Sequence, residues 1–232
     1  MSLPRAIEPE WLDRLPGEDP EAQASRRDLR RLNALMLHSR IVAGAILAQG
    51  LAKPRSVIEI GAGDGAFMLS LARQLAGRWP DVSVTLLDRL DLVGGETRER
   101  FAGLGWQVRT IARDVFEFFD EQGASFDIVV ANLFLHHFPE RDLVRLFSHA
   151  ARLTRLFVAC EPRRSFPVIT ASRLVGAIGC NRVSRHDAFV SARAGFRGEE
   201  LSALWPKGQG WQLAERPAGL FSHCFVARHD EL

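Results

Sequence analysis

The chain has 232 residues, 47% of them apolar and 25% charged, with a formal charge of +2. That length suffices for one α/β domain with a substantial core, and so small a net charge excludes the broad basic surface of a nucleic-acid or anionic-membrane binder. Three cysteines (Cys160, Cys180, Cys224) with no C-x-x-C spacing argue against a disulfide framework or a zinc site and suit a reducing cytoplasm.

In chain order, residues 1 to 21 are rich in Pro, Glu and Asp, lack the apolar core of a secretory signal, and read as an irregular arm. From 22 to about 52 the apolar spacing predicts one helix (Leu29, Leu32, Leu35, Met36, Ile41, Ala45), punctuated by Gly50 and Pro54. The run IVAGAILAQGLA within it is too short to span a bilayer. The chain then alternates: strand 56–60, helix 64–77, strand 82–87, helix 90–103, strands 106–111 and 126–131, helix 140–152, strand 156–160. Strands separated by helices of this length predict a parallel sheet covered on both faces. Residues 162 to 207 read as a helical insert, over 167–178, 185–194 and 198–205. Two strand-like runs, WQLAERPA and LFSHCFVARH, then follow with a tight connection that makes them antiparallel. The last four residues, HDEL, spell an ER-retention signal and are read as coincidence, because nothing else directs the chain to the secretory pathway.

The stretch VIEIGAGDGAF (57–67) fits two nucleotide fingerprints. Gly61-x-Gly63-x-x-Ala66 matches a dinucleotide loop, and the same letters match the E-x-G-x-G-x-G loop of enzymes that bind S-adenosylmethionine. Glycines let the backbone approach a ligand, and Asp88 at the end of TLLDR can accept from ribose hydroxyls, so these features serve both readings. Four others divide them. Glu59 is a charge inside a buried strand, which a cationic amino group on the ligand explains. Asp64 would repel a pyrophosphate. Asp114, in Arg113-Asp114-Val115, is an acid placed to accept from an adenine amino group. The C-terminal hairpin is foreign to the nicotinamide folds.

These residues resemble the class I S-adenosylmethionine-dependent methyltransferases over roughly residues 55 to 228. VIEIGAGDGAF is similar to the family's first motif, TLLDR to its second, RDVFEF to its adenine-side motif, FDIVVANLFLHHF to its fourth, and VACEP to the end of its fifth strand. The resemblance implies a three-layer αβα Rossmann-like fold, its seven-stranded sheet in the order 3-2-1-4-5-7-6 with strand 7 antiparallel. Residues 1–54 would form an arm and helix covering the active site. The methyltransferase domain would occupy 55–232. The resemblance also implies a methyl-donor site. Glu59, Gly61, Ala62, Gly63, Asp64 and Gly65 would hold the methionine end, Asp88 and Arg89 the ribose, and Asp114 and Val115 the adenine. Asn132 and Leu133 would line the sulfonium side. Asp64 and Asp114 also suit helix caps.

The acceptor leaves a fainter trace. Asn132-Leu133-Phe134-Leu135 lacks the Asp/Asn-Pro-Pro-aromatic of enzymes that methylate amide or base nitrogens, and the Asp and Asp-Asn of the metal-dependent catechol enzymes are missing; no metal is expected. His136 and His137 can take a proton from a phenol or enol. His186 is a further candidate, and Glu161 and Arg163 either touch a ligand or pair with each other. The expected substrate is a small, fairly apolar hydroxylated molecule, as in the O-methyltransferases of quinone and aromatic polyketide pathways. An NAD(P)-dependent oxidoreductase and a non-catalytic methyltransferase-like subunit are the alternatives. Oligomeric state is not legible.

Overall fold

The computed structural model describes residues 3–121, 125–208 and 210–230. The last two residues of HDEL lie outside the described residues. Seven strands form one sheet: β1 Ser56–Ile60, β2 Ser83–Asp88, β3 Gln107–Ala112, β4 Phe126–Asn132, β5 Thr154–Pro162, β6 Trp211–Ala218 and β7 Ser222–His229, in the order β3-β2-β1-β4-β5-β7-β6. The first five pair in parallel, and β7 runs antiparallel to both β5 and β6. This is the expected topology.

Period-2 alternation splits the central strands between two cores. Val57, Val84, Ile128, Val130, Leu156 and Val158 face one way. There they meet helices α2 (His38–Leu47), α3 (Ala66–Leu75) and α4 (Gly95–Ala102). Ile58, Ile60, Leu87, Val129, Phe157 and Phe225 face the other way, toward α5 (Val115–Glu121), α6 (Glu140–Leu153) and α9 (Glu200–Leu204). Among them Phe147, Phe157, Phe225 and Trp205 make an aromatic cluster with ring centres 5.1 to 6.1 Å apart. Trp205, from the end of the insert, is therefore core.

Several elements depart from the sequence expectation. The single helix over 22–52 is two, α1 (Pro20–Leu35) and α2, because Leu37 turns left-handed at φ 59° and breaks the ladder. The helix expected from Leu90 starts only at Gly95, since Asp88 Oδ1 holds the Leu90 amide and the stretch to Leu92 serves as a cavity wall. Between β3 and β4, where the sequence shows only a helix cap at Asp114, Val115–Glu121 forms α5. The insert holds α7 (Phe166–Ser172), a 3-10 turn Val175–Ile178, and α8 (Arg182–Ala194) before α9.

The N-terminal segment is tied to this insert. Trp11 and Leu12 amides donate to Asp187, Ser25 and Ser184 hydroxyls meet at 3.0 Å, and buried Asp28 accepts from the Asn181 amide and the Ser184 hydroxyl. Arg164, buried, donates to Leu3 O and pairs with Glu200. Among the described residues no helix is long and apolar enough to cross a membrane.

Candidate active site

A cavity of about 1610 Å³ opens at the carboxyl ends of β1, β2 and β4, where ligands lie in doubly wound sheets. It exceeds the roughly 300–1,000 Å³ of a usual small-molecule site, so it has room for two ligands side by side. Eleven of the twelve residues expected at the methyl donor line it, and so do His136 and His137. Gly65 does not. It caps α3 at φ 75°, and a Cβ there would come 2.9 Å from Leu86 Cδ1, so its part is packing.

The loop after β1 is pinned to β2 by the amides of Gly61 and Ala62, both donating to Leu87 O. Gly61 is left-handed, and a Cβ on it would sit 2.1 Å from the Phe134 ring. Gly63 is also left-handed at φ 54°, but nothing lies within 4 Å of where its Cβ would stand. The first glycine is therefore required by the fold, whereas the second leaves a gap. Asp88 reaches back to accept from the Gly63 amide at 2.8 Å and shapes that gap. Asp64 Oδ1 caps α3 through the Ala66 amide, and its other oxygen lies 3.6 Å from Arg30. Asp114 likewise accepts from the Phe116 amide at the start of α5. Arg89 turns toward Asp13 of the arm, 4.0 Å away.

Glu59 is buried beneath this loop, and its Oε2 has no hydrogen-bond partner. Burial, reinforced by Asp64 and Asp88, raises its pKa well above the usual carboxylate range. Asn132 donates to Asn33 of α1 at 3.2 Å, while its Oδ1 is buried and unpartnered. Leu133 holds a left-handed backbone at φ 53°, fastened by its amide to Cys160 O; such strain persists where the surroundings over-determine it, commonly at working sites.

The histidine pair sits on a 3-10 turn, Leu135–His137. Buried Glu161 accepts from the amides of Phe134 and Leu135 and from His136 Nδ1 at 2.7 Å, so it pairs with His136 and not with Arg163. His136 Nε2 faces Glu10 Oε1 at 3.2 Å. Burial alone would lower the His136 pKa, but hydrogen bonds to Glu10 and Glu161 outweigh it and raise the value to about 9. Glu10, which burial would push upward, is brought down to about 2 chiefly by His136. Both nitrogens of His136 are thus committed, and the lone-pair role expected of it is not available in this arrangement. His137 has its pKa lowered by burial and then by the charge of His136, with Asp13 Oδ2 at 3.6 Å from its Nδ1. His186 is not brought to the cavity: it stacks on Trp11 at 4.0 Å and bonds Asp187.

Sequence reasoning missed Glu10, Asp13, Asn33 and Ser191. Ser191 lines the cavity and donates to Glu10. None belongs to a motif, and Glu10 lies 126 residues from its partner His136.

Residues 57–156 match the family model described as a methyltransferase domain. No curated protein matches the chain in sequence. Among solved structures it resembles an O-methyltransferase family protein from Burkholderia thailandensis (TM-score 0.61, 16% identity, 92% of this chain and 61% of that one). It also resembles a plantazolicin methyltransferase solved with a desmethyl analogue and SAH (0.65, 13%, 91% of each). A third likeness is to a mitomycin 7-O-methyltransferase (0.58, 20%, 94% of this chain and 60% of that one). The chain thus spans about three fifths of the Burkholderia and mitomycin proteins, and at these identities the likeness concerns the fold.

Proposed function

We propose that this chain, a class I methyltransferase in fold with a methyltransferase domain at residues 57–156, carries the methyl group of S-adenosylmethionine to the oxygen of a small, fairly apolar, hydroxylated acceptor. The observation that carries the reading is Glu59, a buried carboxyl at the cavity wall with an orphaned oxygen. A buried acid without a partner is costly, and an ammonium group on the ligand would repay that cost. The gap over Gly63 and the second orphaned acceptor, Asn132 Oδ1, fit the same ligand. Glu59, Gly61, Ala62, Gly63 and Asp64 would hold its amino-acid end, Asp88 and Arg89 the ribose, Asp114 and Val115 the adenine, and Asn132 and Leu133 the sulfonium side. When bound, the donor supplies an electrophilic methyl group for in-line displacement. The Asp64 carboxylate in the loop disfavours the pyrophosphate that a nicotinamide cofactor would place there.

The chain's own contribution is to orient the two ligands and exclude water. The remaining wall is largely apolar, with Leu32, Met36, Val168, Leu174 and Ile178 facing the cavity from α1 and the insert. The N-terminal 54 residues and the helices of the insert act as its cover. The acceptor hydroxyl docks where this wall meets the Glu10–His136–His137 cluster, and His137, the histidine not held between two carboxylates, takes its proton. The partner is a small molecule rather than nucleic acid, and a cytoplasmic setting accords with three unbridged cysteines.

A panel of phenolic acceptors incubated with methyl-labelled donor tests the reading. Label recovered as an aryl methyl ether supports it. Tight donor binding with no transfer to any phenol, enol or amine would instead favour a non-catalytic binding subunit.

A further inference from the structure

We infer that Glu10, His136 and His137 form a binding site for a first-row divalent metal ion at the acceptor end of the cavity. One potential ligand atom from each of the three lies within 4.8 Å of the other two. Glu10 Oε1 and His136 Nε2 are 3.2 Å apart, close to the spacing of two ligands that each stand about 2.0–2.1 Å from one tetrahedral zinc ion. The surroundings have the form of a second coordination shell. Histidines that bind a metal through one nitrogen almost always give the other to a carboxylate or carbonyl. Here Glu161 takes His136 Nδ1 at 2.7 Å and is itself fixed by two backbone amides, which aims Nε2 at Glu10. A further carboxylate, Asp13, stands 3.6 Å from His137 Nδ1, and the Ser191 hydroxyl steadies Glu10.

Two imidazoles and one carboxylate suit Zn²⁺, Fe²⁺, Co²⁺ or Ni²⁺ better than Mg²⁺ or Ca²⁺, which prefer oxygen alone. Three protein ligands also leave at least one position for water or substrate, as catalytic metal sites do. All three residues line the cavity that holds Asn132 and Leu133. If the methyl-transfer reading holds, the ion would take the acceptor oxygen into that open position and favour its anion. The sequence expectation of no metal rests on the cysteine spacing and on the missing acids of the catechol enzymes, and neither registers a ligand from the N-terminal arm.

In the metal-free chain, a proton on His136 Nε2 fills the place that the ion would take, so the test must separate the two occupants. The full chain, stripped with a chelator and dialysed, is titrated with Co²⁺ while its visible d–d absorption is followed. The inference expects one Co²⁺ per chain, displaced by Zn²⁺. The signal should vanish in Glu10→Gln and in His137→Asn, and Glu161→Gln should weaken binding about 10–100-fold. A parallel titration with S-adenosylhomocysteine reports whether each variant is folded and keeps the nucleotide site. No absorption in a wild-type chain that binds S-adenosylhomocysteine overturns the metal inference and leaves the methyl-transfer reading standing. Absorption unchanged in both ligand variants overturns it too, because the metal then sits elsewhere.

Discussion

Glu59 shows how one residue can carry stability and function in opposite directions. Its pKa is raised in the folded chain by burial and by Asp64 and Asp88, so the folded state keeps a proton that the unfolded state releases. The folded state then binds more protons than the unfolded one above the ordinary carboxylate range. Stability must fall as pH rises from that range toward the raised value. Glu59→Gln removes the ionisation and keeps the shape. Thermal melts of the ligand-free chain should therefore show Gln as stable as wild type in mildly acidic buffer and more stable in alkaline buffer. A variant that loses stability equally at every pH would show that the carboxylate is used within the fold. The acid was legible in the sequence because a charge inside an apolar strand is conspicuous. Its missing partner was not, since that is a property of three-dimensional surroundings.

At the scale of elements, the strands were legible and the covers less so. Short, nearly continuous apolar runs fix β1, β2, β4 and β5 to within about two residues, because each strand is buried on both faces and tolerates few polar positions. The break between α1 and α2 was hidden, because apolar spacing continues across Met36 and Leu37 while only the backbone of Leu37 reverses. Helix α5, seven residues long, is too short to show a period. Asp88 and Asp114 were found because each is placed by the strand that it ends, whereas Glu10 and Asp13 are placed by a packing of arm on insert that no local pattern encodes. That packing has a keystone in Asp28, 4% exposed, which accepts at 2.8 Å from the Asn181 amide at the start of α8 and at 3.0 Å from the Ser184 hydroxyl. Asp28→Ala leaves a backbone amide and a hydroxyl short of partners, at a cost of about 1–3 kcal/mol. Urea unfolding should show this loss; a midpoint equal to wild type would mean that the arm and insert are held by other contacts.

Across the whole molecule, the sheet places three acids (Asp64, Asp88, Asp114) after three successive strands, and the arm, α1 and the insert enclose the space above them. One side of the cavity is polar and shaped by the Gly61–Asp64 loop. The other is largely apolar, with Leu32, Met36, Val168, Leu174 and Ile178, and carries the Glu10–His136–His137 cluster with Asp13 and Ser191 beside it. The account depends most on the first side receiving S-adenosylmethionine, and Gly63 tests it most cleanly, because a Cβ there meets no protein atom within 4 Å. Its left-handed backbone makes alanine cost about 1–2 kcal/mol in folding, which the measurement must be shown to tolerate by a cooperative melt. Calorimetric titration of the full chain with S-adenosylhomocysteine should give one site and a net release of protons to the buffer as Glu59 ionises. The folded Gly63→Ala chain should bind about tenfold more weakly or worse, the worth of about 1.4 kcal/mol of lost contact. Absence of binding in wild type, or equal affinity in the two chains, would contradict the account.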